Sequence, residues 1–178
     1  MSDVVLRPSR EPDLQSITAI YGAEVLGGTA SYEIEPPSLE EMTCRWRALV
    51  ERHYPYLVAE RDGAVVGYAY AGPYHQRAAY RYSVEDSIYI ARQAQRAGIG
   101  RMLLGELIAI AERLGFRQMI AVIGGGTQQS ASIGLHSALG FHKIGLVEAT
   151  GFKHGRWLDT VLMQRALGAG RTTPPERS

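Results

Sequence analysis

Apolar and polar positions change period along the chain in a way that predicts a mixed series of strands and helices. Val4-Val5-Leu6-Arg7-Pro8 reads as a short strand closed by its proline. Leu14, Ile17, Ile20, Tyr21 and Val25 then recur at helical spacing, with Asp13 as candidate cap and Gly27-Gly28 as the stop. Ser38 and Glu41 make a capping box for a second helix reaching about Arg52, and a proline-interrupted stretch from Thr29 to Pro37 joins the two helices.

Tyr56 to Glu60 and Ala64 to Ala71 flank Arg61-Asp62-Gly63, and Asp-Gly suits the positive φ angles of a tight hairpin turn. After a loop from Gly72 to Ala79, Ser83 to Ile90 has strand composition. A glycine-containing turn follows, and Met102 to Leu114 is an amphipathic helix with Leu103, Leu104, Leu107, Ile108, Ala111 and Leu114 on one face. Gln118 to Ile123 reads as a buried strand, Gly124-Gly125-Gly126 as a flexible turn, and Ser130 to Leu139 as a short helix. Phe141 to Ala149 and Trp157 to Gln164 complete the pattern as two strands. The order is strand, two helices, three strands, helix, strand, helix, two strands. It predicts an α/β (α+β) fold, a mixed central sheet with helices on its faces, in a single domain over residues 1–167. The tail 168–178 contains Pro174-Pro175 and no apolar pattern, so it is expected to be disordered.

Composition narrows the partners. The 178 residues carry 19 basic and 18 acidic side chains, a formal charge of +1, so no global field would hold the chain on nucleic acid or an anionic membrane. Any anion site must be local. No apolar run approaches the ~18 residues of a membrane span, and Met1-Ser2-Asp3-Val4 lacks the features of a signal peptide. A cytoplasmic protein is expected. The single cysteine, Cys44, falls in an amphipathic helix without a nucleophile motif and is read as a packing residue.

The chemistry concentrates between Tyr82 and Leu114. Gly98 and Gly100 stand between a strand and a long helix, where backbone N–H groups and the helix dipole favour an anion, although a plain tight connection uses the same residues. No Gly-Lys-Ser/Thr follows, which excludes a Walker A loop. A dinucleotide fingerprint fits poorly, because Leu103 stands where a third glycine belongs.

Gln95-x-x-Gly98-x-Gly100, in this element order, resembles the pyrophosphate-binding segment of the GNAT superfamily of acyl-CoA N-acyltransferases. The resemblance narrows to the phosphinothricin and methionine sulfoximine N-acetyltransferases. It is carried by Thr29-Ala30-Ser31-Tyr32, Ala71-Gly72-Pro73-Tyr74, Arg77-x-Ala79-Tyr80, Val84-Glu85-Asp86-Ser87-Ile88-Tyr89-Ile90, Leu135-His136-x-x-Leu139-Gly140-Phe141 and Gly151-Phe152-Lys153-His154-Gly155-Arg156-Trp157. It implies acetyl-CoA as co-substrate, no metal, a homodimer, and transfer to the α-amine of a small amino acid or analogue in a ternary complex. The turn Gln95, Arg96, Ala97, Gly98, Ile99, Gly100 and Arg101 is then expected to hold the pyrophosphate, and the backbone of Ile88, Tyr89 and Ile90 the pantetheine arm.

Glu85 shares a strand face with Ser83, Ser87 and Tyr89; its plain reading is a solvated strand-end residue, and the resemblance makes it a general base. His136, alone on a short helix, reads as a structural histidine or, by resemblance, as a site residue in proton transfer. Arg77 is expected to clamp the second anionic group of the substrate, with Tyr80, His75 and Lys153 beside it. Lys153 and His154 read equally as a solvent-facing basic turn. His75 stands where the family commonly has Lys or Arg, which weakens the case for phosphinothricin, and Gln129 stands where an Asn touches CoA. The rival readings are an acetyltransferase of another small amine, a non-catalytic acyl-CoA sensor, and a dinucleotide-binding protein.

Overall fold

The computed structural model describes residues 3–175. Met1, Ser2 and residues 176–178 lie outside the described residues, and with them part of the N-terminal signal-peptide reading and the end of the tail. The element order matches the sequence pattern: β1 (Val5–Pro8), α1 (Leu14–Gly27), α2 (Leu39–Val50), β2 (Tyr56–Arg61), β3 (Ala64–Pro73), β4 (Ser83–Ile90), α3 (Ile99–Arg113), β5 (Gln118–Gly124), α4 (Ser130–Ala138), β6 (His142–Lys153) and β7 (Arg156–Ala166). The sheet runs β1-β2-β3-β4-β5-β7-β6. All neighbours pair antiparallel except β4 and β5, which are parallel.

Each face has its own core. Leu103, Leu104, Leu107 and Ala111 of α3 pack with Leu57, Ala69, Val84 and Met119 on one side. Leu14, Ile17, Tyr21 and Val25 of α1 and Met42 of α2 meet Tyr56, Val58 and Tyr68 on the other. Alternation along β4 therefore sends Val84 and Ile88 toward α3 and Tyr89 toward α1. The β2–β3 hairpin turns on Asp62 (φ 53°) and Gly63 (φ 76°), the two positive angles that the Asp-Gly pair was expected to supply.

Several expectations change. The third helix begins at Ile99 rather than Met102, so Gly100 and Arg101 lie in its first turn, and Leu114 falls past its end, 49% exposed. The last two strands are longer than their patterns, because β6 and β7 pair as far as Lys153↔Arg156. Asp13 does not cap α1 with its side chain; its carboxylate accepts instead from both Arg7 Nη atoms (2.8 Å each) and from the Arg10 N–H (2.7 Å). Cys44 is exposed rather than packed. In the tail, Arg117 donates to the carbonyls of Gly170 (3.3 Å) and Pro174 (3.1 Å).

Candidate active site

Where β4 and β5 run parallel, their ladder covers only Ser83↔Gln118 to Asp86↔Ala121. Beyond it β3 continues to pair with β4 as far as Gly67↔Ile90, and β7 with β5 as far as Gly124↔Thr160. The two strands thus part company, and residues 87–90 of β4 turn a backbone edge toward a wedge in the middle of the sheet. A cavity of about 1210 Å³ occupies this wedge. Ser87, Ile88, Tyr89 and Ile90 line it on one side and Val122, Ile123 and Gly124 on the other.

At one end of the cavity lies the N-terminus of α3. Gly98 precedes the helix at φ +80°, and Arg96 also has a positive φ of 61°. That path turns the chain directly into the helix and leaves its first N–H groups to face the cavity. Gln95, Arg96, Gly98, Ile99, Gly100 and Arg101 all line it; Ala97 is exposed and does not. Helix dipole, free amides and the local charge of Arg96 and Arg101 suit an anion such as a pyrophosphate. An open strand edge beside such a cradle suits an extended arm carrying amides. The residues present therefore fit a coenzyme A thioester.

The reacting centre lies where β4 leaves β5. Glu85 lines the cavity, and burial, with the neighbouring Asp86 charge, raises its pKa to about 7. The plain reading of a solvated strand-end carboxylate does not hold. Asp86, on the opposite face of β4, is 7% exposed and accepts from His136 Nε2 at 3.0 Å. His136 Nδ1 stands 2.7 Å from the Ser132 carbonyl, which can only accept, so Nδ1 carries a proton. With Nε2 facing the Asp86 carboxylate, these surroundings favour the protonated ring. Burial opposes that charge, yet the Asp86 hydrogen bond and charge and the Ser132 carbonyl hold the pKa above its ordinary value.

The opposite wall comes from the segment between α1 and α2. Tyr32 hydrogen-bonds to the Asp159 carbonyl (2.8 Å) and Thr160 Oγ1 (2.9 Å), and its ring lies between two glycines. A Cβ on Gly124 would stand 2.5 Å from the Thr29 carbonyl oxygen and 2.8 Å from the Tyr32 ring; one on Gly151 would also meet that ring at 2.8 Å. Gly124, Gly125 and Gly126 are buried, so the triplet is a docking surface for this segment rather than a flexible turn. Glu33, next along, accepts from Tyr21 Oη (2.9 Å) and Arg45 Nη1 (2.6 Å). Burial works against its charge, but those two donors keep its pKa below the ordinary value.

The remaining expected residues fall in different places. Gln129 lines the cavity, with its amide donating to Thr29 Oγ1 at 2.8 Å. Lys153 is 4% exposed and donates to the Ser31 carbonyl at 2.7 Å, so it is no solvent-facing residue. Burial lowers its pKa, against the opposing charges of Glu24 and Glu33. Arg77, Tyr80 and His75 sit on an exposed loop and do not line the cavity of their own chain; the His75 ring packs against Tyr74 (4.1 Å) and Tyr80 (4.8 Å). Sequence reasoning missed Asp86, Tyr32 and Glu33 as site residues. For Asp86 the signal was its adjacency to Glu85 in an apolar strand.

The model of the GNAT acetyltransferase domain matches residues 6–162. The chain is 52% identical over 171 residues to the phosphinothricin N-acetyltransferase of Alcaligenes faecalis, covering 96% of this chain and 86% of that one. It is 37% identical over 164 residues to the L-methionine sulfoximine/L-methionine sulfone acetyltransferase of Salmonella typhimurium, covering 92% and 95%. The crystal structure of a GNAT phosphinothricin acetyltransferase from Sinorhizobium meliloti in complex with AcCoA superposes with a TM-score of 0.96 at 53% identity, over 98% of this chain and 94% of that one. Wedge, cradle and matches agree: the chain belongs to the GNAT superfamily and is an acetyl-CoA-dependent N-acetyltransferase.

Proposed function

We propose that the protein acetylates the α-amine of a small amino acid analogue of the methionine sulfone, methionine sulfoximine or phosphinothricin type, by direct transfer in a ternary complex. The observation that carries this is Glu85, a half-buried carboxyl with a pKa of about 7 inside the cavity, at the point where the β4 edge becomes free. An amine attacks only when neutral, and a base of that pKa, directly or through water, takes up the ammonium proton near neutral pH. Backbone N–H groups of residues 87–90 hold the thioester and polarise its carbonyl. The new C–N bond forms as the C–S bond breaks and the thiol of coenzyme A departs. Asp86 and His136 position this machinery: with both ring nitrogens bonded, His136 acts through Asp86 rather than on the substrate.

The exposed loop bearing Arg77, Tyr80 and His75 reaches an acceptor site of a second copy. A homodimer is supported by exposed apolar residues at the β6 edge and its hairpin: Ile144 (46%), Val147 (40%), Phe152 (56%) and Trp157 (66%). Among the described residues no helix is long and apolar enough to cross a membrane. The exposed Cys44 thiol suits the cytoplasm. The test is thiol release from acetyl-CoA across a panel of amino acids and analogues, with products identified by mass spectrometry. Acetylation of methionine sulfone, methionine sulfoximine or phosphinothricin is expected. All three remaining unmodified while another amine reacts would replace the acceptor class, and tight coenzyme A binding without any turnover would make the protein a sensor.

A further inference from the structure

The end of β6 carries a cation to the back of the cavity wall. Alternation along the strand turns Gly151 and Lys153 inward, both buried, and leaves Phe152 between them exposed. Gly151 lies against the Tyr32 ring, and Lys153 Nζ donates to the Ser31 carbonyl at 2.7 Å. Ser31 and Tyr32 line the cavity, whereas Lys153 does not, so its ammonium stands behind them. Among the described residues it makes no ion pair. Glu33 is matched by Arg45 (2.6 Å), Glu24 accepts from the Ala30 N–H (3.0 Å), and both act on Lys153 only as more distant charges. A buried ammonium of this kind is costly to keep unless an anion comes near it.

The bond to Ser31 also sets the direction of the next amide. The peptide joining Ser31 to Tyr32 is trans, so its N–H points opposite to its C=O. With the carbonyl drawn back to Lys153, the Tyr32 N–H faces the cavity side. The amides of Ala30 and Glu33 are already taken, by Glu24 Oε1 and by Ser31 Oγ (3.2 Å). The Tyr32 N–H has no hydrogen-bond partner among the described residues. Its direction is fixed from both sides, because the Tyr32 hydroxyl is bonded to the Asp159 carbonyl and Thr160 Oγ1. A cation on the carbonyl of a peptide polarises it, strengthens its N–H as a donor, and adds a positive field in the same direction.

We infer that the Tyr32 N–H is a subsite for a carboxylate oxygen of the acceptor, and that Lys153 is a positioning residue which acts through the Ser31–Tyr32 peptide rather than on the substrate. The inference rests on the acceptor class proposed above, whose members carry a carboxylate. Methionine sulfone and its carboxamide, which lacks that charge, are compared in the wild type and in Lys153→Met, which keeps the buried stem and removes the ammonium. KM for the sulfone is expected to rise about tenfold in the variant, with a smaller rise for the carboxamide and none in KM for acetyl-CoA. Equal rises for the two acceptors would mark Lys153 as structural only and overturn the inference. Because the variant leaves a buried carbonyl unpaired, a second measurement uses the wild type alone. In isotope-labelled protein saturated with coenzyme A, the Tyr32 amide proton resonance is expected to move downfield on titration with the sulfone and much less with the carboxamide. An amide that stays in place while the sulfone binds would overturn the subsite, even if acetylation proceeds. A shifted amide without any acetylation would instead sink the catalytic reading and leave the subsite standing, and a sulfone that neither binds nor reacts would remove both.

Discussion

Asp86 Oδ2 lies 3.0 Å from His136 Nε2, and the other ring nitrogen of His136 is 2.7 Å from the Ser132 carbonyl, so neither nitrogen is left to meet a substrate. Asp86 Oδ1 is buried without a hydrogen-bond partner, and its charge adds to the pressure that keeps Glu85 protonated. His136→Ala should leave Asp86 uncompensated, cost about 3 kcal/mol of stability, and move the acid limb of the kcat/KM profile to higher pH. Asp86→Asn should move that limb the other way. A direct proton-transfer role for His136 would instead abolish the limb it governs.

Glu85→Gln should lower kcat/KM by about 10²- to 10³-fold with little change in KM for acetyl-CoA. Its stability signature has a definite sign. The folded pKa of about 7 stands above the carboxyl's ordinary value of 4.5, so between those values the native state holds more protons and stability falls as pH rises. Urea titrations should find Glu85→Gln more stable than wild type at pH 8, by about 2 kcal/mol, and close to it at pH 4.5. A variant equally stable with wild type at both pH values would contradict the raised pKa.

Gly98→Ala should weaken acetyl-CoA binding more than it weakens the fold. Its φ of +80° carries a penalty of about 1–2 kcal/mol for any residue with a Cβ, although no atom stands within 4 Å of the position. A rise in KM for acetyl-CoA with the acceptor KM unchanged is the expected result, and the reverse pattern would argue against the cradle.

Gly124→Ala should be destabilising by about 2–3 kcal/mol, because its Cβ overlaps the Thr29 carbonyl and the Tyr32 ring. Tyr32→Phe removes the bonds to Asp159 and Thr160 and should cost about 1 kcal/mol. Thermal melts measure both, and a smaller loss for Gly124→Ala than for Tyr32→Phe would show that the segment is free to move away from β5.

If the Arg77 loop serves a second copy, Glu85→Gln and Arg77→Ala protomers should complement each other. Refolding the two inactive variants together should restore up to about a quarter of wild-type activity, in the mixed dimers that retain one intact site. No recovery, with mixed dimers confirmed by mass, would return Arg77 to its own chain or to the solvent.

Much of the frame was legible because period and punctuation agree. Asp62-Gly63, the alternation of β4 and the Leu103-Leu104-Leu107 stripe each specify their element locally. Glu85 stood out as a carboxylate in an apolar strand. Tertiary partners were not legible. Asp86 draws no reading of its own in the sequence, because its partner His136 comes from α4, 50 positions away, and the three glycines read as a flexible turn although Tyr32 occupies the space they leave. Gly98 and Gly100 read together as a loop, whereas Arg96 and Gly98 make the turn and Gly100 lies in the first turn of α3.

Tyr32 is joined to Asp159 across 127 positions of sequence, near opposite ends of the chain. Contacts of such separation carry a large closure entropy and form after local ones. The wall facing Glu85 is therefore assembled late, once β7 has been synthesised and has closed on β5. Until that closure, the base on β4 and the anion cradle at the start of α3 have no bounded place for an amine beside them.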